Sequence, residues 1–94
     1  MYRIINGQGT GKTSRLMLIA KENNAIFVCA NPRSMEQKAY AYGIVGITFM
    51  SYSEFFTSRR NDYEGNYVID EVETFIKLLA PNGKFIGYTI SEDN

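Results

Sequence analysis

The chain has no histidine, a single cysteine and two prolines among 94 residues, and its formal net charge is zero. Each shortage closes a class of chemistry. Without histidine there is no imidazole general base and no imidazole metal ligand. One thiol, Cys29, forms no intramolecular disulfide and is compatible with a reducing compartment. It sits in an apolar run and reads as a buried structural thiol rather than a nucleophile. Ten basic and ten acidic side chains cancel, so no bulk field draws the chain to nucleic acid. No apolar stretch nears the ~20 residues of a membrane-spanning helix. The first strand is expected at once, from Tyr2, which leaves no signal peptide and predicts a cytoplasmic location without membrane attachment. Repeats, linkers and low-complexity stretches are absent too. The length predicts one small domain, 1–94, with a modest core.

What the chain does have is Asn6-Gly7-Gln8-Gly9-Thr10-Gly11-Lys12-Thr13. An apolar run, Tyr2-Arg3-Ile4-Ile5, leads in and a helical pattern, Ser14 to Asn23, leads out. Strand, glycine loop, then Gly-Lys-Thr at a helix start is the layout of a phosphate-binding P-loop. Glycines allow positive φ and close approach of backbone to a ligand. Successive amide N–H groups then form an anion nest, and the helix adds the positive end of its dipole. Gly7, Gln8, Gly9, Thr10, Gly11 and Ser14 are the expected cradle. Lys12 would place its charge on the β- and γ-phosphates, and the Thr13 hydroxyl would hold Mg²⁺. One position departs from the pattern: Asn6 stands where the first glycine belongs, with Gly7 one place later.

Downstream the pattern alternates. The first helix carries Leu16, Met17, Ile19 and Ala20 as an apolar stripe and ends at Asn23-Asn24. Ala25 to Ala30 are six consecutive apolar residues, which predicts a strand buried on both faces. After Asn31-Pro32, Ser34 with Gln37 predicts a capped helix that stops at Gly43. Ile44 to Met50 reads as a third strand. Ser51 with Glu54 makes another capping box before a short helix through Phe55-Phe56. Arg59 and Arg60 fall in a polar stretch, 58–65, whose plainer reading is a solvated loop. Asn66 to Ile69 is a fourth strand, Phe75, Ile76, Leu78 and Leu79 form the face of a further helix, and Pro81-Asn82-Gly83 is a turn. Phe85 to Ile90 reads as a fifth strand. The expected class is α/β, a three-layer sandwich with a five-stranded, mainly parallel sheet.

Val68-Ile69-Asp70-Glu71 is the second chemical constellation. An apolar strand ending in two acids places them at the carboxyl edge of the sheet, where open α/β sheets bind ligands. Asp70 would accept hydrogen bonds from Mg²⁺-bound water, and Glu71 would polarise an attacking water. Taken alone, acids at a helix start also serve the helix dipole, and that reading holds for Glu73. With the glycine loop upstream, the pair predicts an ATP–Mg²⁺ site whose catalytic residues are Lys12, Asp70 and Glu71.

In this order the motifs resemble the additional-strand class of P-loop NTPases, and within it the first RecA-like domain of superfamily 1 and 2 helicases. Gly9 to Thr13 resembles helicase motif I, and Val28 to Met35 the strand-to-loop segment that follows it. Ile47-Thr48-Phe49-Met50-Ser51-Tyr52 is similar to the Thr-Phe-His-Ser stretch of superfamily 1. Val68 to Glu71 resembles the Asp-Glu box, and Gly87 to Ser91 occupies the place of the sensor strand. The resemblance implies that Thr89 or Ser91 senses the γ-phosphate. It also implies a sheet in which the P-loop strand is followed by the fifth, fourth, third and second, and a minimal RecA-like domain. A second such domain, with its arginine finger, is absent from the chain, so an arginine would come from a protein partner or from Arg59 or Arg60 of a second copy. The compact form resembles phage or mobile-element products.

Two functions follow from different classes. One is a protein that binds ATP or another nucleoside triphosphate with Mg²⁺ and hydrolyses it slowly or with a partner. The other is a non-enzymatic binding or regulatory module on a P-loop scaffold that engages a larger phage or host nucleic-acid-processing complex. A small-molecule kinase is weaker, since no lid segment is present. Nucleic-acid binding rests on analogy alone; Tyr40, Tyr42, Tyr52, Phe55 and Phe56 offer stacking surfaces, although core packing accounts better for Phe55 and Phe56.

Overall fold

Ile26–Cys29 (β1) is the centre of the molecule, and all four of its residues are buried. A computed structural model describes residues 3–4, 11–59 and 62–91. Around β1 run α1 (Lys12–Glu22), α2 (Pro32–Ala41), β2 (Phe49–Ser51), α3 (Tyr52–Arg59), β3 (Tyr67–Ile69) and α4 (Val72–Leu78). Both β2 and β3 pair with β1 in parallel, giving the order β2-β1-β3. Phe27 faces Phe49 in one register and Val68 in the other.

Strand alternation splits β1 between two cores. Phe27 and Cys29 pack with Met17 and Ala20 of α1 and Ala39 of α2. Ile26 and Val28 pack with Tyr52 and Phe55 of α3, against Phe75 of α4. Helices therefore cover both faces, as a strand without polar positions requires. The Phe27 and Phe49 rings meet at 5.2 Å between centroids.

Helix ends follow local chemistry. In α1 and α2 the last carbonyls are closed by paired bonds around a left-handed residue. Asn24 (φ 50°) closes α1, with Ala25 N–H donating to the Ala20 carbonyl at 2.8 Å. Gly43 (φ 75°) closes α2, with Ile44 N–H donating to the Ala39 carbonyl at 2.8 Å. The start of α2 differs from the expectation at Ser34: Asn31 is the cap, accepting from Ser34 N–H at 3.1 Å, and Pro32 occupies the first turn. Proline fixes the φ that the helix needs there. The box at Ser51 forms as expected. Ser51 N–H donates to Glu54 Oε1 at 2.9 Å, and Glu54 N–H donates to Ser51 Oγ at 3.1 Å.

The five-stranded sheet of a minimal RecA-like domain is not what forms: among the described residues the sheet has three strands, all parallel. The order differs too, because the strand at 26–29 lies between those at 49–51 and 67–69 instead of beyond them. The expected first strand falls largely outside the described residues, and Arg3 and Ile4 belong to no strand. The third is shortened at its start. Ile44 spends its N–H on the α2 cap, and Gly46 turns at φ 88°. Residues 84–91 form no strand. Phe85 and Tyr88 stack at 5.8 Å with ring planes 16° apart. Residues three apart point to opposite faces of a regular strand, so that stack excludes strand geometry. Leu78 and Leu79, expected on the buried face of the last helix, are exposed.

Phe27 is fully inaccessible and touches both neighbouring strands' side of one core. Phe27→Ala is expected to cost about 3–5 kcal/mol. That is a large share of the ~5–15 kcal/mol typical of a domain, and urea unfolding followed by circular dichroism measures it.

Candidate functional site

Gly11 stands at the N-cap of α1 with φ 73° and ψ 21°. A side chain there would meet nothing closer than Ser14 Oγ at 3.5 Å, so the backbone sign and not space demands glycine. Ser14 Oγ donates back to the Gly11 carbonyl at 2.9 Å and braces the turn. Lys12 and Thr13 then occupy the first turn of α1. Gly7, Gln8, Gly9 and Thr10 lie outside the described residues.

Across the carboxyl edge of the sheet, β3 delivers Asp70 and Glu71. Asp70 N–H donates to the Val28 carbonyl at 2.9 Å, extending the β1–β3 ladder one residue past the strand. Glu71 then turns into the left-handed region, φ 56° and ψ 62°, and starts α4. A non-glycine residue there stores about 1–3 kcal/mol of strain, a cost that persists only where the surroundings enforce it. Thr74 N–H donates to the Glu71 carbonyl at 2.9 Å.

The two segments meet. Lys12 Nζ lies 2.9 Å from Glu71 Oε1. Thr13 Oγ1 donates to Asp70 Oδ1 at 3.4 Å, a long bond. Both members of the ion pair are partly exposed, so solvent screens it. The bond to Glu71 and then its charge raise the Lys12 pKa, so the ammonium stays charged. Asp70 is buried, and burial raises its pKa, with the Glu71 charge acting the same way. The Thr13 bond and the charges of Lys12 and Lys38 oppose that rise.

Thr13 Oγ1 and Asp70 Oδ1 are two hard oxygen donors side by side. They suit a divalent cation that keeps several waters and takes its other ligands from phosphate, which is how Mg²⁺ binds. Among the described residues there is no cluster of three or more acidic, thiol or imidazole groups. The Thr13–Asp70 pair would thus hold Mg²⁺ only together with ligands from a phosphate and water.

The other expected residues lie elsewhere. Thr89 and Ser91 are exposed, in no strand, and Thr89 makes no hydrogen bond to the site among the described residues. Arg59 ends α3, whose neighbour Ser58 borders Asn24, Ile26 and Thr48 at the opposite edge of the sheet from Asp70. Its side chain and Arg60 lie outside the described residues. Tyr40 and Tyr42 are exposed, while Tyr52 and Phe55 are buried and offer no stacking face. Cys29 is fully buried and burial pushes its thiol up to about 11, which makes it inert as a nucleophile.

Sequence reasoning put Tyr52 among stacking surfaces and missed its place at the site. Its hydroxyl donates to the Asp70 carbonyl at 2.6 Å and reaches the Glu71 carbonyl at 3.3 Å. The available signal was its position directly after the Ser51 cap, where a helix's first turn meets the sheet edge.

Among the described residues no helix is long and apolar enough to cross a membrane. Comparison with protein-family models, curated proteins and solved structures finds no match.

Because Asp70 has its pKa raised on folding, ionising it in the folded state costs stability. That part of the stability is fully present below the unfolded value, 3.8, and is lost as pH rises through the folded value. Asp70→Asn is therefore expected to raise the melting temperature at neutral pH, with the advantage over the parent shrinking as pH falls toward the carboxylate range. Scanning calorimetry from pH 4 to 7 reads both effects.

Proposed function

We propose that this chain is a P-loop protein that binds a nucleoside triphosphate, ATP in the first instance, together with Mg²⁺, and that its hydrolysis is slow or depends on a partner. One observation carries the reading: Lys12 and Thr13, at a helix start behind a glycine-rich stretch, stand 2.9 Å and 3.4 Å from Glu71 and Asp70 at the end of a parallel strand. An ammonium and free helix N–H groups suit a polyphosphate. Thr13 and Asp70 suit the accompanying cation, directly and through water. Glu71, half exposed and paired with Lys12, would orient a water once phosphate draws the lysine away. The bound cation would supply charge neutralisation at the phosphates.

The slow or partner-dependent turnover is supported by the course of α3, which ends with Arg59 at the opposite edge of the sheet from Asp70 and Glu71. An arginine finger is worth about 10³–10⁵ in rate. A protein partner or a second copy would have to supply one. The motif order supports a relation to helicase motor domains, with a phage or mobile-element origin and a cytoplasmic setting as parts of the same proposal. Nucleic-acid contact would fall to exposed side chains such as Tyr40 and Tyr42.

A second reading draws on a different observation. Leu78, Leu79, Phe85, Ile86, Tyr88 and Ile90 are all exposed. Such a run suits a module that engages a larger complex through protein contacts, with nucleotide as a structural ligand.

Thermal shift separates the outcomes. Saturating ATP–Mg²⁺ at 100 times Kd is expected to stabilise the chain by about 2.7 kcal/mol. Lys12→Ala should abolish that shift, while Glu71→Gln should retain binding and lower any measured hydrolysis. No shift at millimolar ATP–Mg²⁺, or hydrolysis unchanged in both variants, overturns the nucleotide reading.

A further inference from the structure

We propose that Tyr52 is a positioning residue for the Asp70–Glu71 pair, its hydroxyl tying the two peptide carbonyls and holding Glu71 in the left-handed turn that brings its carboxylate to Lys12. What the pair does chemically rests on the nucleotide reading above; the hold on the turn does not.

Tyr52 is buried, with its ring 5.6 Å from that of Phe75, one turn into α4. Phenylalanine would fill the same volume. What tyrosine adds is one hydroxyl, and its acceptors are the Asp70 carbonyl at 2.6 Å and the Glu71 carbonyl at 3.3 Å. A buried phenol needs a partner, and this one is spent on the residues that change direction. Burial, with the Asp70 charge next, pushes its pKa up to about 12, so the hydroxyl remains a donor at neutral pH.

The placement has a local cause. The Ser51–Glu54 capping box fixes the first turn of α3, and Tyr52 is the first residue of that helix. Tyr52 reaches the turn from the α3 face of the sheet, and Lys12 and Thr13 reach it from α1. The strained residue is thus gripped through its backbone on one side and its side chain on the other. A left-handed glutamate without such restraint relaxes, and its carboxylate swings off the line to Lys12.

The test compares Tyr52→Phe with Phe55→Leu in the full chain. Phe55 belongs to the same buried cluster and has no hydrogen bond to the turn. Two readouts are taken. One is the Glu71 backbone by NMR, through its ³J(HN,Hα) coupling and Cα shift, with no nucleotide present. The other is ATP affinity with and without Mg²⁺. In Tyr52→Phe, Glu71 should lose its left-handed signature. The gain in ATP affinity from Mg²⁺ should fall about tenfold, the lower end of what losing a supporting contact behind a metal site costs, while metal-free affinity stays close to that of the parent. Phe55→Leu should lower the melting temperature and leave both readouts alone. The proposal fails if Tyr52→Phe keeps the Glu71 signature, or if Phe55→Leu reproduces the loss. A parent chain that binds no ATP sinks the nucleotide reading, and the NMR arm then decides the positioning role by itself. Should Tyr52→Phe not fold, adding Glu71→Gly, which removes the backbone strain, should restore folding; a double variant that stays unfolded also overturns the proposal.

Discussion

The four side chains of β1 leave water in both directions at once, and the other elements take their places from that. A strand with no polar face needs a neighbour on each edge and a helix layer on each side. Here the neighbours are β2 and β3, and the layers are α1 with α2 and α3 with α4. Parallel pairing then brings the carboxyl ends of all three strands to one edge. Asp70 follows β3 at that edge and stays on the ladder through the Val28 carbonyl. The position of the candidate site is thus a consequence of burying Phe27 and Val28, not a separate device.

At that edge local stability is spent rather than gained. Asp70 is buried against its preference for water, Glu71 sits in a strained backbone region, and the Lys12–Glu71 pair is too exposed to contribute much. The surrounding bonds explain why the arrangement persists. Thr13 and Lys12 act on the side chains, and the Tyr52 hydroxyl acts on the main chain. A charged pair held under strain beside a helix start is the pattern expected where function outweighs local stability.

Much of this was legible in the residues, for reasons that are local. Six apolar residues in a row announced β1. Asn24 and Gly43 marked helix ends because few residues accept positive φ, and Ser51 with Glu54 marked a start because each caps the other. Lys12, Thr13, Asp70 and Glu71 could be named from motif spacing, and they do meet. Sheet order could not be read, since the strands at 49–51 and 67–69 carry no signal for which edge of β1 they take. The apolar pattern at 85–90 suited a strand, yet its two rings stack on each other, an arrangement a strand cannot hold. For Tyr52 the sequence marked the place, directly after the Ser51 cap, but not the partners: they are carbonyls eighteen or nineteen positions away, and backbone carbonyls leave no mark on a sequence.

The parallel register also sets the order in which the chain can become a protein. A strand leaving the ribosome next to an antiparallel partner can zip through a tight turn. β1 has no such option: each of its partners arrives only after an intervening helix has been made. Until residues 49–51 and then 67–69 emerge, Ile26–Cys29 is an apolar ribbon with both edges open, the kind of segment that recruits other chains. Nascent α1 and α2, each closed by its own left-handed cap, are the elements that can form early and shield one of its faces. In the living cell the hazardous interval for this molecule is the time taken to translate from Ala30 to Ile69, and it closes when the second edge is filled.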